Sequence, residues 1–173
     1  GDVVARHEVL RTVYPEVDGA PYQCILGRHA VRPTIDRVSV TPCGLESVLV
    51  AEARRGFDLR RDLPLRGVLY AVGEGEHVLL LVLHHIAGDG WSLGPLMRDL
   101  AQAYAARCAG VEPGWAPPAV QYADYAVWQR ELLGSEEDPG SRASQQLEYW
   151  TTALRGLPDQ LALPFDHPRP PVA

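Results

Sequence analysis

Two adjacent histidines, His84 and His85, are the residues of this chain best suited by type and position to proton transfer. The unperturbed pKa of imidazole is about 6.5, so a histidine exchanges protons near neutral pH. The pair ends an apolar run, and neighbouring side chains of a β-strand point to opposite faces. We therefore expect one imidazole to face a cleft as a general base, while the other is packed or hydrogen-bonded.

A glycine-flanked aspartate, Asp89, follows the histidines. Gly88 and Gly90 allow a sharp reversal that turns the Asp89 carboxylate back under the end of the strand. Arg11 lies on the apolar side of the first predicted helix, where a buried guanidinium needs an anion. Asp89 is a candidate partner for Arg11, and the alternative is that Arg11 extends its charged end to the edge of the helix.

A packed core and a metal site are the two alternatives to catalysis at the histidine pair. An isolated pair at the end of a strand is most often part of a satisfied core. A metal site would need His85 and Asp89 on one face of a helix, and the glycines oppose a helix here. The succession of strand, histidine pair, glycine-flanked aspartate and capped helix favours catalysis, so no metal site is predicted. Ser92 is the predicted N-cap of that helix, whose free N–H groups would favour a developing oxyanion.

Hydrophobic periodicity predicts the elements that hold these residues in place. The clearest signal is a hairpin, residues 65–72 and 77–84, in which a glycine-containing connection joins two β-rich runs. The second run is apolar on both faces, which predicts a central strand covered on each side. Other strands are predicted at residues 21–26 and 34–40, and helices at residues 3–14, 44–55, 92–110, 120–133 and 144–154.

Strands and helices alternate irregularly around this hairpin. We therefore predict an α+β fold, a two-layer sandwich of a mixed β-sheet with helices packed on it. The proline-rich residues 163–173 are expected to form an extended exit segment without internal hydrogen bonds.

The composition excludes several classes of protein. The chain of 173 residues carries 16 basic and 22 acidic residues, a formal charge of −6, which disfavours nucleic-acid binding. The longest apolar stretch, residues 78–83, is too short to cross a bilayer, and no leader is evident, so we expect no membrane association. The chain has three widely spaced cysteines, Cys24, Cys43 and Cys108, which exclude a disulfide framework and any CxxC pair. This use of cysteine favours a location in the reducing cytoplasm.

Residues 84–92, HHIAGDGWS, resemble the HHxxxDG motif of nonribosomal peptide synthetase condensation domains, which belong with the chloramphenicol acetyltransferase-like acyltransferases. Further segments resemble other motifs of that family and follow the same order along the chain. They are RHEVLRT at 6–12, FDL with PLR at 57–66, YADYAVWQ at 122–129, YWTTALRGLP at 149–158 and LPFDHPRP at 163–170. The resemblance therefore extends from residue 6 to residue 170.

The resemblance implies that an amide bond forms between two carrier-bound thioesters. Donor and acceptor carrier proteins would present aminoacyl or peptidyl groups on phosphopantetheine arms, and the acceptor amine would attack the donor thioester. His85 would take the proton of the amine or orient the amine, and no cofactor would be bound directly. His84, Gly90, Asp89 and Arg11 would support the site, with Asp89 paired to Arg11. Because both histidines are intact, the resemblance disfavours a heterocyclisation domain. The sequence HHIAGDGWS resembles the class that joins an L-configured donor to an L-configured acceptor.

The resemblance also implies an incomplete domain, because condensation domains have two similar lobes with the active site between them. Residues 1–173 would be the N-terminal lobe, without its first strand and without the C-terminal lobe toward which residues 163–173 lead. We expect such a fragment to be inactive alone and to need that lobe and both carrier proteins as partners. Two alternatives remain open: acyl transfer to the hydroxyl of a small molecule, and a non-catalytic lobe on which carrier proteins dock.

Overall fold

A computed structural model of the chain describes residues 1–31, 33–158, 164, 166 and 167. The chain divides into two compact units, Gly1–Ala126 and Val127–Ala173. The segment 163–173, expected to be extended, lies almost entirely outside the described residues.

The described residues contain five helices and seven strands. The helices are α1 (Asp2–Arg6), α2 (Leu45–Arg54), α3 (Gly90–Cys108), α4 (Tyr122–Leu133) and α5 (Arg142–Ala153). The strands are β1 (Thr12–Val13), β2 (Glu16–Val17), β3 (Ala20–Pro21), β4 (Cys24–Ile25), β5 (Ile35–Ser39), β6 (Leu65–Ala71) and β7 (His77–Leu83). Short 3₁₀ turns lie at Glu8–Arg11 and Pro42–Gly44.

A three-stranded mixed sheet in the order β5-β6-β7 forms the centre of the first unit. β5 runs parallel to β6, with Ile35 opposite Gly67. β6 and β7 are antiparallel, with Leu65 opposite Leu83 and Ala71 opposite His77. This pairing confirms the predicted hairpin and the mixed sheet of an α+β fold.

The expectation that the second hairpin run is a central strand is wrong for the described part of the chain. The central strand there is β6, and β7 pairs only with β6. Leu79 in β7 is 42% exposed, so one face of β7 lacks full cover from the described elements. An apolar run predicts burial of both faces of a strand but contains no information about how many neighbours the strand has.

Helices pack on both faces of the sheet. Alternate residues of a strand point to opposite faces. Val68 and Tyr70 of β6 are buried on one face, where they contact residues of α2 such as Leu45 and Val48. Leu65, on the other face, packs against a cluster of Val3 and Val4 from α1, Ala103 from α3, and the intervening Leu10 and Ala87.

The single helix predicted over residues 3–14 is wrong, because the chain leaves the helical conformation at His7. α1 ends there, with His7 extended at φ −101° and ψ 108°, and a 3₁₀ turn and β1 follow. Val3 and Leu10 are both buried, as the helical spacing predicted. The break turns the His7 ring to Asp99 of α3, a contact that the local sequence does not encode.

The strand predicted at residues 21–26 is divided into β3 and β4, which belong to two small ladders. β1 pairs with β4, and β2 pairs with β3. Asp18 and Gly19, at the centre of the β2–β3 connection, have φ values of 52° and 78°. Two successive residues with positive φ are typical of a tight hairpin turn, which explains why the extended run is interrupted.

The second unit contains α5 and the later part of α4. Ser141 caps α5, because its hydroxyl accepts a hydrogen bond of 3.0 Å from the backbone N–H of Ser144. Both helices lie where helical periodicity predicted them, within two residues at each end. Among the described residues, no helix is long and apolar enough to span a membrane.

Candidate functional site

The two histidines lie in a turn directly after β7 and not on the strand itself. The backbone N–H of Ala87 donates to the carbonyl of His84 at 3.0 Å, and we call residues 84–87 the histidine turn. The N–H of His84 donates to the carbonyl of Pro64 at 2.8 Å, which extends the β6–β7 ladder to the beginning of this turn. The turn, and not strand alternation, therefore separates the two side chains.

The first imidazole is fixed and the second is exposed. Nδ1 of His84 accepts a hydrogen bond of 3.0 Å from the backbone N–H of Ile86. A nitrogen that accepts a hydrogen bond carries no proton, so in this arrangement the proton of the His84 ring lies on Nε2. The His85 side chain is exposed to solvent.

A contact that sequence reasoning missed holds the His84 ring in place. The Phe57 ring meets the His84 ring edge-on, with centroids 5.7 Å apart and planes at 84°. The guanidinium of Arg66 lies over the Phe57 ring, 4.3 Å from its centroid. The sequence signal for the role of Phe57 is its place in a motif with Arg66.

Asp89, and not Ser92, is the N-cap of α3. The Asp89 carboxylate accepts from the backbone N–H and the hydroxyl of Ser92 at 3.0 and 2.8 Å, and the Ser92 hydroxyl is 3.0 Å from the N–H of Asp89. This reciprocal capping box begins the helix at Gly90 and places Pro95 in the second turn. Two hydrogen bonds from Ser92 hold the pKa of the Asp89 carboxyl below its usual 3.8, and the bond from the Ser92 hydroxyl has the larger effect.

This cap removes support for an oxyanion site at the beginning of α3. The backbone N–H of Ser92 donates to the Asp89 carboxylate, and the backbone N–H of Trp91 helps to lower the pKa of that carboxyl. Donors already bound to a carboxylate do not stabilise a second negative charge without losing the first. The Ser92 N–H is therefore already occupied, and the expectation that N–H groups of α3 favour an oxyanion stays a prediction. The cap signal, aspartate followed three residues later by serine, is readable in the sequence.

The expected pair of Asp89 with Arg11 is not formed in the part of the chain that the structure describes. Arg11 is buried, and its Nη2 donates to Oε1 of Glu8 at 3.0 Å while Nη1 donates to the carbonyl of Leu26. Asp89 is exposed, and its carboxylate accepts from the first turn of α3. Arg11 therefore pairs with the carboxylate of Glu8, three residues earlier in the chain, and not with Asp89.

The two glycines around Asp89 differ in what they do. A Cβ on Gly88 would lie 2.8 Å from Cδ2 of Leu83 and 3.1 Å from Cβ of Ser92. A Cβ on Gly90 would meet no atom within 4 Å. Gly88 is therefore required by close packing between β7 and α3, whereas Gly90 keeps open the space in front of the helix.

The buried carboxylate of Asp99 joins α3 to the end of α1. Its Oδ2 accepts from Nε of Arg6 at 2.8 Å and lies 2.7 Å from Nε2 of His7. Burial raises the pKa of Asp99, but hydrogen bonds from His7 and Arg6 outweigh it and lower the pKa below 3.8. Asp99 falls between Leu96 and Ala103 on the buried side of the helix, and a charge in an apolar stripe is the signal that could have found it.

A cavity of about 240 Å³ lies behind the histidine turn. His7, Leu83, Ala87 and Ser92 line it together with Val9, Leu10, Pro95 and Leu96. Over residues 1–31, 33–158, 164, 166 and 167, no three histidine, cysteine, aspartate or glutamate side chains form a group that could hold a metal ion.

Comparison with known proteins shows which family the chain matches. The family described as Condensation domain matches residues 1–173. A probable nonribosomal peptide synthetase of Salinispora arenicola is 56% identical over 173 residues, which are 100% of this chain and 2% of that protein. A dimodular nonribosomal peptide synthase of Bacillus subtilis is 52% identical over 169 residues, 98% of this chain and 7% of that protein. The chain thus spans only a small part of these relatives.

A solved structure shares the fold over nearly the whole chain. In the complex of the X-domain and OxyB from teicoplanin biosynthesis, one chain is 42% identical and superposes with a TM-score of 0.87. The match covers 98% of this chain and 36% of that chain. Most of the neighbouring chain therefore lies outside the part that matches.

Proposed function

Because the chain belongs to the condensation-domain family, we propose that it is one lobe of a domain that joins an aminoacyl or peptidyl donor to an aminoacyl acceptor through an amide bond. The observation that carries the proposal is the histidine turn, which presents one exposed imidazole beside a fixed one. The identity to nonribosomal peptide synthetases supports this reaction class.

His85 acts on the acceptor amine, as a base or by orienting the amine through a hydrogen bond. Its side chain is exposed, whereas Nδ1 of His84 already accepts a hydrogen bond from the backbone. Positioned proton transfer contributes roughly 10²–10⁴-fold to rate. Alignment of two tethered reactants supplies a further large share of the barrier reduction, so His85 need not be a strong base.

The other site residues support His85 without touching the reacting atoms. His84 forms the turn, Asp89 begins α3, and Gly90 leaves the space before the helix open. Arg11 fixes the segment between α1 and β4 through Glu8 and Leu26.

Donor and acceptor carrier proteins deliver the substrates on phosphopantetheine arms, and the remaining lobe of the same domain completes the site. The matched X-domain chain is much longer than this one, which supports a missing second wall. The fragment alone is therefore inactive. The three free cysteines support a location in the reducing cytoplasm.

The test is product analysis with the complete domain and loaded donor and acceptor carrier proteins. The proposal predicts an amide-linked product on the acceptor carrier. Transfer of the acyl group to a small-molecule alcohol, with no amide product, would instead establish the hydroxyl acyltransferase alternative. Binding of both carriers without any product would establish a docking lobe.

A further inference from the structure

The geometry of the histidine turn depends on the His84 side chain. Two of the hydrogen bonds that close the turn end on this residue, one on ring Nδ1 from Ile86 and one on its carbonyl from Ala87. The first bond exists only while the ring keeps one orientation and one tautomer. Whatever fixes the His84 ring therefore also fixes the backbone from which His85 projects.

Phe57 is the aromatic side chain that contacts this ring. The two rings meet edge to face, the arrangement that aromatic pairs prefer, with centroids 5.7 Å apart. Phe57 lies in the connection between α2 and β6, a segment without regular structure, so its position needs a separate anchor.

Arg66 provides that anchor from the central strand. Its guanidinium covers the Phe57 ring and donates to the carboxylate of Glu52, to the Glu52 carbonyl at 3.1 Å and to the Arg55 carbonyl at 2.8 Å. Only 13% of the Arg66 side chain is exposed. One side chain of β6 thus binds the end of α2, the connection that follows it and the ring that contacts His84.

Starting from the proposed function of His85, we propose that Phe57 and Arg66 are positioning residues that set the His84 ring and, through it, the turn that presents His85. Neither residue touches the reacting groups. Their effect reaches the reaction only through the tautomer and orientation of His84.

The side-chain chemistry of both residues is specific. Leucine at position 57 fills space but offers no aromatic ring to the His84 edge. Lysine at position 66 keeps the charge but lacks the planar guanidinium that stacks and donates in several directions at once. Tyrosine at position 57 keeps the ring and serves as the conservative variant.

The experiment compares four variants of the complete condensation domain: Phe57→Leu, Arg66→Lys, Phe57→Tyr and Arg107→Lys. Arg107 is a matched control, because it also makes a two-pronged pair, with Asp2 at 2.9 and 2.7 Å, at the other end of α3. The readouts are ¹⁵N NMR of labelled histidines, which reports the tautomer of each ring, and kcat and KM for condensation.

We expect the wild type, Phe57→Tyr and Arg107→Lys to show a neutral His84 ring protonated on Nε2. Phe57→Leu and Arg66→Lys mix the two tautomers and lower kcat by roughly 10–10²-fold, the cost of misplacing a reacting group, with KM for the carriers unchanged. Arg66→Lys provides the same measurement if Phe57→Leu does not fold.

An unchanged His84 tautomer in folded Phe57→Leu and Arg66→Lys would overturn the proposal, whatever their activity. Full kcat in both variants despite a changed tautomer would overturn it as well. If the tautomer changes while His85→Ala keeps full activity, it is the proposed function of His85 that fails, and the structural link from Arg66 to His84 stands.

Discussion

The two histidines have different surroundings, although they are neighbours in the chain. His84 is half-buried, contacts Phe57 and uses Nδ1 to close the turn. His85 is exposed on the same turn. The sequence predicts that only one of the pair is available for proton transfer, and the exposed second histidine is the one that we propose acts on the amine.

Asp89 and Arg11 stabilise separate parts of the molecule, so their effects are expected to be additive. Asp89→Ala removes the cap of α3 and lowers Tm, whereas Asp89→Asn keeps most of the cap, since asparagine is also a good N-cap. Arg11→Ala removes the hydrogen bonds to Glu8 and Leu26. A double-mutant cycle by urea unfolding measures the coupling, and a clear interaction free energy between the two sites would restore the pairing that the sequence predicted.

Gly88 and Gly90 are expected to respond in opposite ways to the same substitution. Gly88→Ala places a Cβ against Leu83 and Ser92 and lowers the free energy of unfolding by about 1–3 kcal/mol. Gly90→Ala meets open space at the first turn of a helix and leaves Tm unchanged or slightly raised. Equal Tm values for the two variants would show that the region between β7 and α3 is not closely packed.

At the scale of elements, Asp99 joins α3 to the end of α1. Asp99→Asn is expected to destabilise the complete domain by about 1.5–3 kcal/mol, because charge-assisted hydrogen bonds from Arg6 and His7 are weakened. The folded-state pKa of Asp99 lies below 3.8, so its stabilising effect is complete above pH 3.8 and is lost as the pH falls through the lowered pKa. The difference between wild type and variant should therefore shrink as the pH falls below 3.8.

Urea unfolding of the wild type and Asp99→Asn at several pH values measures this difference. A difference that does not shrink below pH 3.8, or one that is already absent at pH 7, would contradict the contribution assigned to Asp99.

Local patterns in the sequence predicted elements whose stability is local. The hairpin at β6 and β7 and the ends of α2, α4 and α5 follow from periodicity and turn residues. The break at His7 could not be predicted in this way, because it depends on Asp99, a residue more than ninety positions away. The same limit applies at the site, where Phe57 and Arg66 reach His84 through tertiary contacts, whereas the aspartate–serine cap of α3 is a local signal in the sequence.

At the scale of the whole molecule, the chain leaves large apolar side chains exposed. On α3 alone, Trp91 is 91% exposed and Tyr104 is 72% exposed, and Leu93 and Met97 are also open. Leu93, Met97 and Tyr104 are spaced to lie on one face of α3, and an exposed apolar face is typical of a surface that another part of a protein covers. The second lobe that we propose for the complete domain is such a part.

The isolated chain is therefore expected to self-associate and to produce no condensation product. β5 and β7, each with one partner among the described strands, add open sheet edges to the exposed apolar side chains. Light scattering over a concentration series, with the complete domain as control, measures the association. A monodisperse, catalytically active isolated chain would refute the proposal that a second lobe completes the site.

The measurement that tests the central claim most directly is the single-turnover rate of amide formation by the complete domain, wild type against His85→Ala. His77→Ala is the matched control, because His77 is also exposed and lies at the other end of β7. We predict that His85→Ala lowers the rate by roughly 10²–10⁴-fold with an unchanged Tm, and that His77→Ala retains the wild-type rate. A folded His85→Ala domain that forms the amide at the wild-type rate would contradict the assignment of His85.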